Sequence, residues 1–232
     1  MADLFSGHGG VSRAVLRLGF AARQWEIELG PQGDLTSRKV RAHIKRDIRR
    51  GKVLSAMVAP PCTTFSVARD RTAVIRTRRR PWGLSQVSAK DRAKLLEGNR
   101  CMRAAIDLIK YLHRYGIPWI LEHPFSSKAW FLPELQSLEQ TPNVQVAVCD
   151  FCQYNAQWRK RTRFLCGHVD GQDLARLQKR CWGHGICSRT NKPHIQLTGS
   201  NSQGVPWTRI AQPYPGQLCH HLAYVLSAKY LT

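Results

Sequence analysis

Acidic residues are scarce in this 232-residue chain: 15 Asp and Glu stand against 36 Lys and Arg. The formal net charge is +21 and the isoelectric point about 10.4. A surplus of this size excludes a charge-balanced surface and draws a polyanion, with phosphate neutralisation dominating affinity. Long apolar runs are missing too. None reaches the ~18 residues that cross a bilayer, and no long basic amphipathic helix marks a membrane-surface binder. No apolar stretch follows Met1-Ala2-Asp3, so no secretory leader is read. Internal repeats and low-complexity tracts are absent. The expectation is an intracellular monomer, nuclear in a eukaryote, that binds nucleic acid and no membrane.

Hydrophobic residues make up 43% of the chain, enough for a packed core in one domain with a small appendage. Cysteine is present eight times: Cys62, Cys101, Cys149, Cys152, Cys166, Cys181, Cys187 and Cys219. Without a leader, reduced thiols are expected, each catalytic, metal-bound or buried, rather than a disulfide framework.

Strand and helix signals alternate. Ala2 to Phe5 reads as the end of a strand, followed by the glycine turn Ser6-Gly7-His8-Gly9-Gly10. Val11, Ala14, Val15 and Leu18 have the spacing of one helix face, and Gly19 stands where that helix would be capped. Ala21 to Ile27 predicts a second strand, 38 to 50 a basic helix, and Val53 to Ala59 a third strand ending at Pro60-Pro61. Residues 66 to 98 read as a basic loop running into a helix over roughly 90 to 115. Pro118 to Leu121, Val144 to Asp150 and Thr162 to Cys166 predict three more strands, and Leu218 to Leu231 a closing helix. The class expected is α/β, Rossmann-like, with a mostly parallel sheet flanked by helices. The organisation expected is a core over 1–167, a small basic Cys/His-rich subdomain over 168–210, and a closing helix within 211–232.

Several constellations carry chemistry. A strand ending in Asp3-Leu4-Phe5, a glycine turn and a helix N-terminus form a nucleotide-binding geometry, because glycines let the backbone approach a ligand. The spacing is neither G-x-G-x-x-G nor a P-loop. Glu26, near the end of the second strand, suits ribose hydroxyls, and Asp34 suits an adenine amine. Ala59-Pro60-Pro61-Cys62-Thr63-Thr64-Phe65-Ser66 presents a thiol after a buried strand, in a turn stiffened by two prolines. Neighbouring arginines and helix N-termini are expected to lower its pKa. Glu122 ends a strand in Glu122-His123-Pro124. Arg159 and Arg161 alternate in Gln157-Trp158-Arg159-Lys160-Arg161 and share one face if the strand begins early. Arg76, Arg78, Arg79 and Arg80 form a basic run placed to meet phosphates, or to serve as a nuclear-import signal. Cys181, Cys187 and His194, with His168 or His184 nearby, are ligand types that suit zinc, although Cys-x5-Cys-x6-His is no standard finger.

Taken in order, these elements resemble the motifs of cytosine-C5 DNA methyltransferases. Asp3 to Gly10 is similar to the family's cofactor motif, and Pro60-Pro61-Cys62 with Phe65-Ser66 to its Pro-Cys loop. Glu122-His123-Pro124 is similar to its Glu-Asn-Val or Glu-Asn-Pro motif, with His123 where Asn is usual. Gln157-x-Arg159-x-Arg161 is similar to its Gln-x-Arg-x-Arg motif. Gln212-Pro213-Tyr214-Pro215-Gly216 stands in place of the Gly-Asn-containing final motif, and the region that reads the target is short. The resemblance implies S-adenosylmethionine as cofactor. Phe5, Ser6, Gly7, Gly9, Gly10 and Pro60 would line its site, Glu26 would hold the ribose and Asp34 the adenine. It further implies Cys62 as nucleophile toward C6 of a flipped cytosine, Glu122 at the N3 edge, and Arg159 and Arg161 supporting the base and Glu122. Ser66 and Gln157 would join the arginine run at the nucleic acid. Two other readings stand beside it: the same chemistry on RNA, and a catalytically weak nucleic-acid-binding module that keeps the fold. An amino-methyltransferase ranks last, because Ala59 and Cys62 occupy places where its loop needs Asp or Asn and an aromatic.

Overall fold

The structure, a computed structural model, describes residues 1–231. Its centre is a six-stranded sheet: β1 (Ala2–Leu4), β2 (Arg23–Trp25), β3 (Ala56–Val58), β4 (Trp119–Pro124), β5 (Val144–Asp150) and β6 (Arg161–Gly167). The spatial order is β2-β1-β3-β4-β6-β5. β2, β1, β3 and β4 pair in parallel, while β6 runs antiparallel to both of its neighbours. The sheet is therefore mostly parallel, as alternation of strand and helix signals implies.

Helices cover both faces, and strand alternation decides which residues meet them. Ala2 and Leu4 of β1, Ala56 and Val58 of β3, and Trp119 and Leu121 of β4 pack with α2 (Arg38–Arg49), α3 (Ala89–Arg114) and α4 (Pro133–Glu139). Met57 and Ile120 point the other way, into a second core shared with α1 (Gly10–Arg17) and α7 (Gly216–Ser227). The α2 and α3 bounds lie within two residues of those predicted. The strands near the amino end are shorter than predicted, and α4 carried no distinct periodic signal. Between Glu26 and Asp34 the chain has room for two single turns only, Ile27–Leu29 and Pro31–Gly33.

Residues 168–210 hold little regular structure: α5 (Gly171–Ala175), α6 (Trp207–Ile210) and two isolated bridges. Val169, Leu174 and Leu177 pack into the α1/α7 core, whereas Cys152, Cys181 and Cys187 form a buried cluster of their own. No helix among the described residues is long and apolar enough to cross a membrane.

Candidate active site

Three strand ends meet in register. Leu4 pairs with Val58 and Val58 with Leu121, so the next residues, Phe5, Ala59 and Glu122, stand abreast at the carboxyl edge. β1 sends the chain to one side, to β2, and β3 continues on the other side, to β4. A doubly wound sheet offers its ligand crevice at such a reversal, outside the strands' carboxyl ends. The glycine turn follows β1 there, the Cys62 loop follows β3, and Glu122 lies within β4.

The glycine turn is built for close approach. Phe5 is non-glycine yet has φ +59°, a conformation held only where the surroundings demand it. Gly9 caps α1 at φ +63°, and a Cβ there would lie 2.2 Å from the Gln24 side-chain amide. The buried Ser6 Oγ has no hydrogen-bond partner. Glu26 reaches across from the end of β2: Oε2 accepts from Gly7 N–H at 2.9 Å and Oε1 from Ile27 N–H at 3.0 Å. Asp34 accepts from the Thr36 N–H and hydroxyl, closing a local turn. Asp3 faces α1, where the Ser12 hydroxyl donates to it at 2.6 Å. Burial pushes the Asp3 carboxyl up to about 6, partly offset by that hydrogen bond.

The Cys62 loop is held from below. Phe65 and Ser66 N–H both donate to the Cys62 carbonyl, and Ser66 caps the following single turn. Phe65 is fully buried, and Arg76 lies across its ring at 3.8 Å. Arg76 corrects the phosphate-contact expectation. It is 0% exposed and donates to Thr64 O and Oγ1, Pro81 O and Asn99 Oδ1, so its guanidinium is a buried scaffold for the loop. Arg78, Arg79 and Arg80 are exposed. Cys62 itself is half-buried. Burial first, and the neighbouring Glu122 carboxylate second, push its thiol up, while Lys160 pulls it down. This reverses the expected lowering: the arginines of the run point elsewhere, and an acid faces the sulfur.

Glu122 is buried and doubly hydrogen-bonded. Thr162 Oγ1 donates to Oε1 at 3.1 Å and Tyr214 OH to Oε2 at 2.9 Å. Burial and Glu122 raise the Tyr214 phenol well above its usual value, so it keeps its proton. Neither partner was picked out from the sequence. Thr162 sits one step past Arg161, on the opposite strand face, and Tyr214 lies just ahead of α7. His123 alternates away from Glu122 into the core, with Nδ1 hydrogen-bonded to Ser127 Oγ at 2.8 Å and Phe65 edge-on at 5.8 Å. Burial, reinforced by Lys160 and Arg76, lowers it to about 3, so the ring is neutral at pH 7. It ties down the turn after β4.

β6 begins at Arg161, so Arg159 lies ahead of the strand, and Arg161 takes the face opposite to the one Glu122 occupies. Arg161 makes a forked pair with Asp150 at 3.0 and 3.0 Å. Arg159 donates to Cys181 O and Gly183 O at 2.9 Å each and lies 3.5 Å from Asp150. Support of Glu122 by these arginines is thereby corrected: strand alternation gives that place to Thr162. Gln157 is exposed, and its carbonyl accepts from Ile195 N–H.

Of the four zinc-ligand residues predicted, Cys181, Cys187 and His194 come together, and Cys152 completes the group. His168 does not belong. It follows β6, which runs antiparallel, so it emerges at the opposite end of the sheet and stacks on His113 with centroids 4.4 Å apart.

No protein-family model matches the chain, and no curated protein sequence matches it. Among solved structures it is similar to Entamoeba histolytica methyltransferase EhMeth, at 11% identity and a TM-score of 0.42. The match covers 73% of this chain and 52% of that one, so the chain spans about half that protein's length.

Proposed function

We propose that this chain is an S-adenosylmethionine-dependent methyltransferase acting on C5 of cytosine, with DNA as the substrate polymer. The observation that carries the reading is the meeting of the glycine turn, Cys62 and Glu122 at one carboxyl edge of the sheet, across its reversal point. The residues present fit the cofactor. Ser6 offers a buried hydroxyl with no protein partner, the turn leaves the backbone open at Gly7, and Glu26 is already fixed against it. Phe5, Ser6, Gly7, Gly9, Gly10 and Pro60 would line the sulfonium and ribose end, Glu26 would take the ribose hydroxyls and Asp34 the adenine. When bound, the cofactor supplies an electrophilic methyl group.

The chain's own residues then divide the work on the pyrimidine. Cys62 gives up its thiol proton to solvent and its sulfur adds to C6, which makes C5 nucleophilic. Glu122, steadied by Thr162 and Tyr214, would carry a proton and donate it toward the N3 edge, easing charge build-up on the ring. Once C5 carries its new methyl group, loss of the C5 proton to water re-forms the C5–C6 double bond and expels the sulfur as thiolate, which takes back a proton from solvent. An internal base must leave the stack to reach this edge, and the exposed Arg78, Arg79 and Arg80, with Ser66 and Gln157, would hold the flanking strand. Arg159 and Arg161 serve here by fixing the lip around Asp150, not by touching Glu122.

The test is transfer of labelled methyl from S-adenosylmethionine to a DNA duplex and to an RNA hairpin, by wild type and by Cys62→Ala. Label at cytosine C5 of the duplex, falling about 10³-fold or more in Cys62→Ala, supports the proposal. Full transfer without Cys62, or label on an exocyclic amine, overturns it; label on RNA alone reassigns the polymer. The raised Cys62 thiol favours a second reading, a basic binding module that keeps the frame without turnover. Tight DNA binding with no transfer to any substrate would select it.

A further inference from the structure

The segment from Cys181 to His194 has no apolar interior. Its buried cluster consists of three thiols, Cys152, Cys181 and Cys187, and the large side chains nearby point outward, Trp182 at 78% and Ile186 at 54% exposed. Ordering a stretch of this kind costs about 1–2 kcal/mol per residue, which three small side chains cannot offset by burial. Something else has to hold it.

We infer that Cys152, Cys181, Cys187 and His194 bind one structural zinc ion that staples this segment to the end of β5. All four ligand atoms lie within 4.8 Å of one another, and Cys181 Sγ stands 3.7 Å from His194 Nε2. A tetrahedral site with Zn–S bonds of about 2.3 Å has edges of about 3.8 Å, so the group closes onto a metal with little movement. Four protein ligands leave no open position, which makes the site structural rather than catalytic. Its surroundings are those of thiolates. Ser188 N–H and hydroxyl point at Cys181 Sγ at 3.4 and 3.5 Å, and the Gln153 amide points at Cys152 Sγ and Cys187 Sγ at 3.7 and 3.9 Å. The chain turns tightly after Cys187, with Asn191 N–H on the Cys187 carbonyl and Cys187 N–H on the Lys192 carbonyl.

Charge balances as well. Zinc displaces three thiol protons to solvent, leaving one net negative charge with a neutral His194. Arg159 donates to Cys181 O, and Arg189 donates to Cys152 O at 2.9 Å. Cys152 lies in the turn Phe151–Tyr154 directly after β5, and Cys181 N–H donates to Asp150 Oδ2 at 2.9 Å. Metal binding therefore fixes Asp150, Arg159 and Arg161 from one side. The inference stands on this cluster alone and does not depend on the methyltransferase reading.

The experiment is metal analysis of the full chain, expressed with zinc and purified without chelator. About one zinc per chain is expected, falling close to zero in Cys152→Ser and in Cys187→Ser and unchanged in Cys101→Ser. Cobalt in place of zinc should give the charge-transfer and d–d absorption of a tetrahedral thiolate site. In the wild-type protein, chelation should speed hydrogen exchange over 181–194 and leave β4 protected, a readout that needs no variant to fold. Wild type that takes up neither metal, zinc content unchanged in Cys152→Ser, or a disulfide among the three cysteines in fresh protein would overturn the assignment. Each of these outcomes is read without any methyl transfer.

Discussion

Cys62 keeps its proton at neutral pH because the loop buries it and turns it toward an acid, so its reactivity in the free protein depends on what arrives beside it. Its ordinary pKa is 9.0 and the shift is upward. Iodoacetamide labelling of Cys62 should therefore rise with pH without a plateau below 9, and Glu122→Gln should speed it several-fold at pH 8. A plateau near pH 7 in wild type would contradict this. Asp3 gives a second titration. Its folded pKa of about 6 lies above its ordinary 3.8, so its contribution to stability is full below 3.8 and is lost as pH rises through 6. Asp3→Asn should stabilise the protein by roughly 1–3 kcal/mol at pH 8, and the gain should vanish by about pH 4, as read by urea unfolding across that range. Arg76 is the residue the sequence conceals best. It sits in a run with Arg78, Arg79 and Arg80, and nothing in composition tells a solvated arginine from one buried over Phe65. Arg76→Ala leaves the Pro81 and Thr64 carbonyls and Asn99 without their donor, and should cost about 3 kcal/mol or more, whereas Arg79→Ala should leave the melting temperature unchanged.

At the level of elements, helices were more legible than strands. α2 and α3 display a 3.6-residue periodicity over several turns, and helix length averages out local exceptions. β1, β2 and β3 are three residues each, too short for alternation to bound them. Strand parity explains the misassigned arginines: β6 begins only at Arg161, which leaves Arg159 ahead of the strand, and which face Glu122 shares depends on β6 pairing antiparallel with β4. The missed Cys152 has a similar origin. It is 29 positions from Cys181 in sequence and adjacent in space, while the nearer His168 is carried to the far end of β6. The two single turns between Glu26 and Asp34 carry a steric prediction. A Cβ on Gly33 would lie 2.0 Å from the Glu26 carbonyl, so Gly33→Ala must displace the backbone that carries Glu26. A loss of about 1–3 kcal/mol in thermal or urea unfolding is expected, and an unchanged stability would show that the turns give way freely.

For the whole molecule, a net charge of +21 and an α/β frame with its reactive groups at one carboxyl edge are complementary facts. On the proposed function, the charge would recruit the polymer and the edge would act on a single base. Replacing Arg78, Arg79 and Arg80 together by Ala should lower the slope of log affinity for DNA against log salt by about 2–3 without altering the melting temperature. The overall class could be read from sequence, and so could the placing of the glycine turn and of Cys62 just past strand ends, which glycine or proline marks, whereas Glu122 lies within β4. The residues that hold them, Thr162, Tyr214 and Arg76, became visible only with the packing. The most direct measurement of the central claim is intact mass after incubation with S-adenosylmethionine and a DNA duplex containing 5-fluorocytosine, whose C5 fluorine cannot leave as the proton does. The account predicts a stable protein–DNA adduct that maps to the Cys62 peptide and is absent from Cys62→Ala. No adduct under conditions where the duplex is bound, or an adduct on another residue, would contradict it.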